Sequence, residues 1–144
     1  MQDIEISEIT TADERTLEAV NKLISQLSHT ACPMTTDSLA RIVHSAASRL
    51  FVATADGKTI GMCTLATYES PTGRKAWIED VVVDTAFRGT GIGRKLVRHA
   101  VEEAHKQAPC TLMLTSKPAR VAANKLYQSE GFEQKHTNVY KKSL

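Results

Sequence analysis

The 144-residue chain is long enough for one compact domain with a substantial core, and its 42% apolar and 24% charged residues are ordinary for a soluble globular protein. A formal charge of +2, with acids and bases mixed along the chain, argues against a nucleic-acid or membrane-surface binder, and no apolar run is long enough to span a bilayer. Cys32, Cys63 and Cys110 are odd in number and far apart, and the five histidines do not cluster, so neither a disulfide framework nor a metal site is expected and a reducing cytoplasm fits best.

The N-terminal MQDIEISEIT has charges where a signal peptide would be apolar, and IEISEIT alternates as a half-buried strand does. TADE at 11–14 reads as a capping box that opens a helix, with Leu17, Val20, Leu23, Ile24 and Leu27 as its core face. Beyond a break at Pro33, Thr36 or Asp37 caps a second helix with the stripe Leu39, Ile42, Val43 and Ala46. Two apolar runs joined at Asp56-Gly57 form a hairpin. AWIEDVVVD follows, and its Val81-Val82-Val83 run suits a strand buried on both faces.

After the segment DTAFRGTGIGRKL comes a helix with Ile92, Leu96, Val97, Ala100, Val101 and Ala104 on one side, which Pro109 stops. CTLMLTS reads as another central strand. Ser116 and Pro118 open a last helix, Gly131 closes it, and the tail GFEQKHTNVYKK alternates as two short strands. The order β-α-α-β-β-β-α-β-α-β-β describes a single mixed α/β sheet with helices packed on it, residues 1–144 forming one domain.

DTAFRGTGIGRKL carries the chemistry. It is no Walker A loop, because Gly93 is followed by Arg94, Lys95 and Leu96. It is no dinucleotide fingerprint either, since the last glycine of G-x-G-x-x-G would fall on Arg94 or Leu96. An anion cradle nevertheless fits. Gly89, Gly91 and Gly93 let the backbone turn tightly and point N–H groups into one hollow, the following helix adds its dipole, and Arg88 and Arg94 add charge. A pyrophosphate suits such a hollow; on these residues alone, a turn that merely joins strand to helix is the competing reading.

Arg88-Gly89-Thr90-Gly91-Ile92-Gly93 resembles the R/Q-x-x-G-x-G/A motif of the GNAT superfamily of N-acetyltransferases. The strand WIEDVVVD directly before it, and Leu126-Tyr127-Gln128-Ser129-Glu130-Gly131-Phe132, similar to that family's L-Y-x-x-x-G-F, extend the resemblance over essentially the whole chain. The resemblance implies a mostly antiparallel sheet whose central strands, here 77–83 and 111–115, splay apart, with helices on both faces. It implies acetyl-CoA as co-substrate and no metal. Arg88, Gly89, Thr90, Gly91, Ile92, Gly93 and Arg94 are then the pyrophosphate site. The pantetheine arm would pair along the strand through the backbone of Val81 and Val83, with Val82 between them, and the N–H near Val81 would stabilise the oxyanion formed on attack.

The resemblance also implies direct transfer to an amine, with Tyr127 as the acid that protonates the departing thiolate; otherwise Tyr127 is an amphipathic core residue. The I-E-D-V segment is similar to that of glucosamine-6-phosphate N-acetyltransferases, which favours Glu79 as base, directly or through a water, and leaves Asp80 to structure or substrate binding. Strand alternation sends those two side chains to opposite faces. Many members carry asparagine where this chain has Arg120; Asn124, one turn later, is expected to contact the cofactor arm in its place. Three functions compete: acetylation of a small-molecule amine, of a protein lysine or N-terminus, or non-catalytic acyl-CoA binding. The segment from Thr30 to Ser38 lacks an acidic cluster suited to a basic peptide, which favours the small molecule, with no nucleic-acid or membrane partner and a homodimer left open.

Overall fold

The structure is a computed structural model that describes residues 3–144. Five strands, β1 (Ile4–Glu8), β2 (Ser48–Ala55), β3 (Lys58–Ser70), β4 (Gly73–Val83) and β5 (Thr111–Met113), lie side by side in chain order. The first three junctions are antiparallel and β4 pairs with β5 in parallel. The helices are α1 (Glu14–Leu27), α2 (Thr36–His44), α3 (Ile92–His105) and α4 (Val121–Ser129). Among the described residues no helix is long and apolar enough to cross a membrane.

The twofold repeat of the strands builds a core on each face of the sheet. Leu50 and Val52 of β2 meet Val20 and Leu23 of α1 and Leu39 of α2. Phe51, Ala53 and Ala55, the alternate residues, meet Leu96, Val97 and Ala100 of α3 on the other side. Phe51 is wholly buried and takes the His99 ring edge-on at 4.7 Å. Burial of each such side chain stabilises the fold by about 1.5–3 kcal/mol. The helical stripes read from the sequence are these faces, except that Ala46 lies beyond the end of α2 and is exposed. At the hairpin tip Asp56 and Gly57 both have positive φ, +50° and +76°, the backbone that a two-residue turn matched to strand twist requires.

Several boundaries differ from the sequence reading. The N-cap of α1 is Asp13, whose Oδ1 accepts from the Thr16 N–H at 2.7 Å, rather than Thr11. Thr35 caps α2 in a capping box with Ser38. Ser116 and Pro118 lie outside α4: residues 117–120 form a turn closed by Arg120 N–H on the Lys117 carbonyl, because a residue before proline is disfavoured in helical backbone. Gly131, at φ +91°, closes α4 as expected, with its N–H on the Gln128 carbonyl and the Phe132 N–H on the Tyr127 carbonyl.

The largest difference is at the C-terminal side. CTLMLTS is an edge strand with three paired residues, not a central one, and residues 132–144 form no strand. Six polar or charged residues separate Phe132 from Val139, so the tail has little apolar surface to bury; Val139 and Tyr140 stay 72% and 88% exposed.

Two features of β4 position the site. Met62 pairs with Val82 but Thr64 pairs with Glu79, so β4 carries one residue more than β3 over this stretch. Asp80 takes the strain of that bulge at φ +51°. At the end of β4, Asp84 is 5% exposed and turns the chain: its carboxylate accepts from the Ala86 N–H at 2.9 Å and from Gln26 of α1 at 3.4 Å, with Lys22 at 3.8 Å. A 3₁₀ turn over Thr85–Phe87 then leads into the glycine segment.

The backbone N–H of Ala86, with Gln26 and Lys22 behind it, holds the Asp84 carboxyl below its ordinary pKa. A lowered folded-state pKa contributes stability that is present above the unfolded value and lost as pH falls through the folded one. Asp84→Asn should therefore destabilise the protein by about 1–3 kcal/mol at neutral pH, the worth of a buried charge-assisted hydrogen bond. The gap between variant and wild type should close under acid, which denaturant titrations at pH 7 and near pH 3 would check.

Candidate functional site

β4 and β5 separate after their last pair, Trp77 with Met113. Between the diverging segments lies a cleft of about 510 Å³, walled by residues 78–81 of β4, residues 114–117, Tyr127 and Arg120 of the α4 region, Leu27 and Ser28 at the end of α1, and Val139 of the tail. The expected splay of the two strands is present. Asp80 and Val81 have no partner residue on either neighbouring strand, so their backbone edge is free to bond whatever lies in the cleft.

The bulge breaks the strand alternation from which Glu79 and Asp80 are expected to point to opposite faces. Ile78 and Val81, three apart, both pack against the α3-side core, so the alternation is broken between them. Both carboxylates are exposed and both line the cleft. Burial pushes the Glu79 carboxyl above its ordinary pKa, and the negative charge of Asp80 pushes it the same way. Tyr127 lines the same cleft and packs on the α3-side core with Phe132 edge-on at 6.2 Å. Burial raises its phenol pKa against the opposing pull of Arg120.

Beside the cleft, beyond Val83, the glycine segment opens α3. Gly91 is the N-cap at φ +85° and supplies no side-chain hydrogen bond, so the first-turn N–H groups of α3 are left to other partners. A Cβ on Gly89 or Gly91 would meet no protein atom within 4 Å, so bare backbone faces outward there. Gly93 differs: its Cβ would lie 3.7 Å from both Leu126 of α4 and Val83 of β4, an ordinary contact. Arg88 donates to the Val83 carbonyl at 3.2 Å. Arg94 turns toward α4 instead of the loop, bonding Ser129 Oγ at 3.0 Å and the Glu130 carboxylate, which Arg98 also holds at 2.9 Å. Thr90 donates to the Phe87 carbonyl and ties the loop to itself. Ile92 is core.

Asn124 is not among the residues lining the cleft. Its Nδ2 donates to the carbonyls of Lys117 and Arg120, both at 2.9 Å, and so fixes the turn that carries Arg120. Lys117, Leu114 and Ser116 line the cleft and went unmarked in the sequence reading. The signal for them was weak: only the row Leu112, Leu114, Ser116 on one strand face places Ser116 inward.

The model of the acetyltransferase (GNAT) family matches residues 15–132. The chain belongs to that family. It is similar to a ribosomal protein bS18-alanine N-acetyltransferase of Escherichia coli (strain K12), 33% identical over 60 residues that cover 42% of this chain and 40% of that one. It is also similar to an N-acetylaspartate synthetase of Xenopus tropicalis, 29% identical over 78% of this chain and 41% of that one. The matched segments thus span about two fifths of these curated relatives. A provisionally assigned acetyltransferase structure from Agrobacterium tumefaciens str. C58 superposes with a TM-score of 0.84 at 28% identity, covering 96% of this chain and 99% of that one.

Within this GNAT fold the loop glycines separate in their tolerance. Gly93→Ala makes only ordinary contacts and should leave the melting temperature nearly unchanged. Gly91→Val forces a branched side chain into left-handed backbone and should cost about 1–2 kcal/mol. Thermal melts of the two variants against wild type check this ordering.

Proposed function

We propose that the chain is an acetyl-CoA-dependent N-acetyltransferase that acetylates the primary amine of a small molecule. The observation that carries this reading is the joint position of Glu79 and Tyr127 in one cleft, opened by the parting of β4 and β5 and adjoined by the glycine loop. The residues present fit acetyl-CoA. Gly89 and Gly91 expose backbone at an uncapped helix N-terminus suited to a pyrophosphate. The edge of β4 at Val81 to Val83 suits the amides of the pantetheine arm. Bound there, acetyl-CoA supplies an activated acetyl thioester.

Each remaining step belongs to the chain. An alkyl amine is mostly protonated near neutrality and must shed a proton before it can attack. The raised pKa of Glu79 makes it a better base than an ordinary carboxylate, directly or through a water. Asp80, beside it on the bulge, attracts the ammonium form of the acceptor into the cleft. The N–H at Val81, which has no strand partner, would stabilise negative charge on the carbonyl oxygen. Tyr127, kept protonated by burial, delivers a proton to the leaving sulfur. Arg88 adds charge near the loop, whereas Arg94 and Asn124 act by holding α3, α4 and the 117–120 turn in register. Residues 1–144 act as one catalytic domain, and the cytoplasm is its compartment. The similarity to the bS18-alanine enzyme supports a second reading, acetylation of a protein N-terminus.

An amine panel with acetyl-CoA, read by thiol release, tests the reading. Turnover of amino acids or amino sugars is expected; a protein that binds CoA but turns over only peptides would favour the second reading, and one that does not bind CoA would overturn both. With an accepted amine, Tyr127→Phe should lower kcat about 10²–10⁴-fold while leaving CoA affinity nearly unchanged. Retained turnover would return Tyr127 to the core.

The pH profile separates the two carboxylates. With Glu79 as base, kcat falls as pH drops through its raised pKa. Asp80→Asn removes one of the two causes of that rise, and asparagine tolerates the φ of +51°. The acid limb should therefore move to lower pH in Asp80→Asn, whereas in Glu79→Gln it should follow the amine's own titration, with turnover partly restored at higher pH.

A further inference from the structure

β5 ends at Met113, and the chain runs on through Leu114 to Ser116, two residues beyond Leu114 as Leu114 is beyond Leu112. Leu112 and Leu114 pack against the α3-side core, and the chain continues into the cleft with a serine where an aliphatic side chain would extend the packing. The Ser116 hydroxyl is the buried side-chain polar atom, among the described residues, that has no hydrogen-bond partner. A buried hydroxyl left unpaired costs stability that alanine or valine at the same place would not. The hydroxyl is also not free to wander. Asn124 clamps the Lys117 carbonyl immediately after it, and Leu114 anchors the chain before it.

We propose that Ser116 is a ligand-binding residue whose hydroxyl bonds the thioester-bearing arm of acyl-CoA, through a carbonyl oxygen or amide N–H of that arm. This rests on the acetyl-CoA reading above. The assignment to the arm, and not to the acceptor amine, follows from sidedness. Leu112 and Leu114, which lead into Ser116, pack against the core that Tyr127, Val81 and Val83 share, and Ser116 lines the cleft with Leu114 and Tyr127, the side of the arm and of the departing sulfur. Glu79 sits on the other side of β4, toward Leu27 and Ser28 of α1, where an amine would enter. In the free protein the hydroxyl is a cost; with the arm in place it gains a partner, so its contribution is realised only on binding.

Ser116→Ala tests this by two measurements on the whole chain. In thermal melts without ligand, the variant should be as stable as wild type or more so. In calorimetry with CoA and with acetyl-CoA, it should bind about 3- to 10-fold more weakly, the loss of one net hydrogen bond. Ser116→Cys, nearly isosteric and a weaker donor, should fall between the two. KM for the amine should not change. Undiminished CoA affinity in Ser116→Ala would overturn the proposal, as would a ligand-free variant that melts well below wild type or fails to fold, because the hydroxyl would then already be bonded within the protein. A wild-type protein that binds neither CoA nor acetyl-CoA would overturn the acetyl-CoA reading itself.

Discussion

Everything about the site depends on an unpaired stretch of backbone inside the sheet. A strand between two others normally spends its N–H and C=O groups on both neighbours, and leaving such groups unmatched away from water is costly. β4 pairs with β5 only from Lys75 to Trp77 and then loses it, while the bulge at Asp80 removes Asp80 and Val81 from the β3 register as well. The result is a short run of open edge held rigid from behind by β3. An extended, amide-bearing molecule completes such an edge as a further strand would.

The surrounding elements explain why this opening survives. On one face α3 buries Leu96, Val97 and Ala100 against β2 and β3; on the other α1 and α2 bury Val20, Leu23 and Leu39. Both faces of the middle of the sheet are therefore covered by helices. Asp84 then fastens the end of β4 to Gln26 and Lys22 of α1, so the chain leaves the sheet in a fixed direction and delivers the glycine segment beside the cleft. Strand, turn and loop form one positioned unit.

How much of this is legible in the sequence depends on the range of the interaction concerned. The helix stripes apart from Ala46, the Asp56-Gly57 turn, the Gly131 closure and the start of α3 behind the glycine segment follow from local periodicity and backbone preference, and the structure has them where they are read. Caps are less distinct, since Thr11 and Asp13 are both competent and the helix uses Asp13. The bulge is invisible: WIEDVVV reads the same whether or not one residue drops out of pairing, so the sequence assigns Glu79 and Asp80 to faces by an alternation that the strand does not keep. The tail alternates weakly, yet six consecutive polar residues after Phe132 give a strand nothing to bury. Ser116 is an ordinary serine until its burial is known. Arg94 looks like a loop residue until Glu130, thirty-six positions away, is seen to hold it.

That last contact couples two regions that otherwise belong to separate helices. Glu130, just past the end of α4, grips Arg94 and Arg98 on consecutive turns of α3, while Leu126 lies against the helix start beside Gly93. Tyr127 is the next residue after Leu126. The phenol and the cradle at the mouth of α3 are thus mounted on a single latched frame. The separation between the tyrosine and the first turn of α3 is held by a carboxylate that does not itself line the cleft.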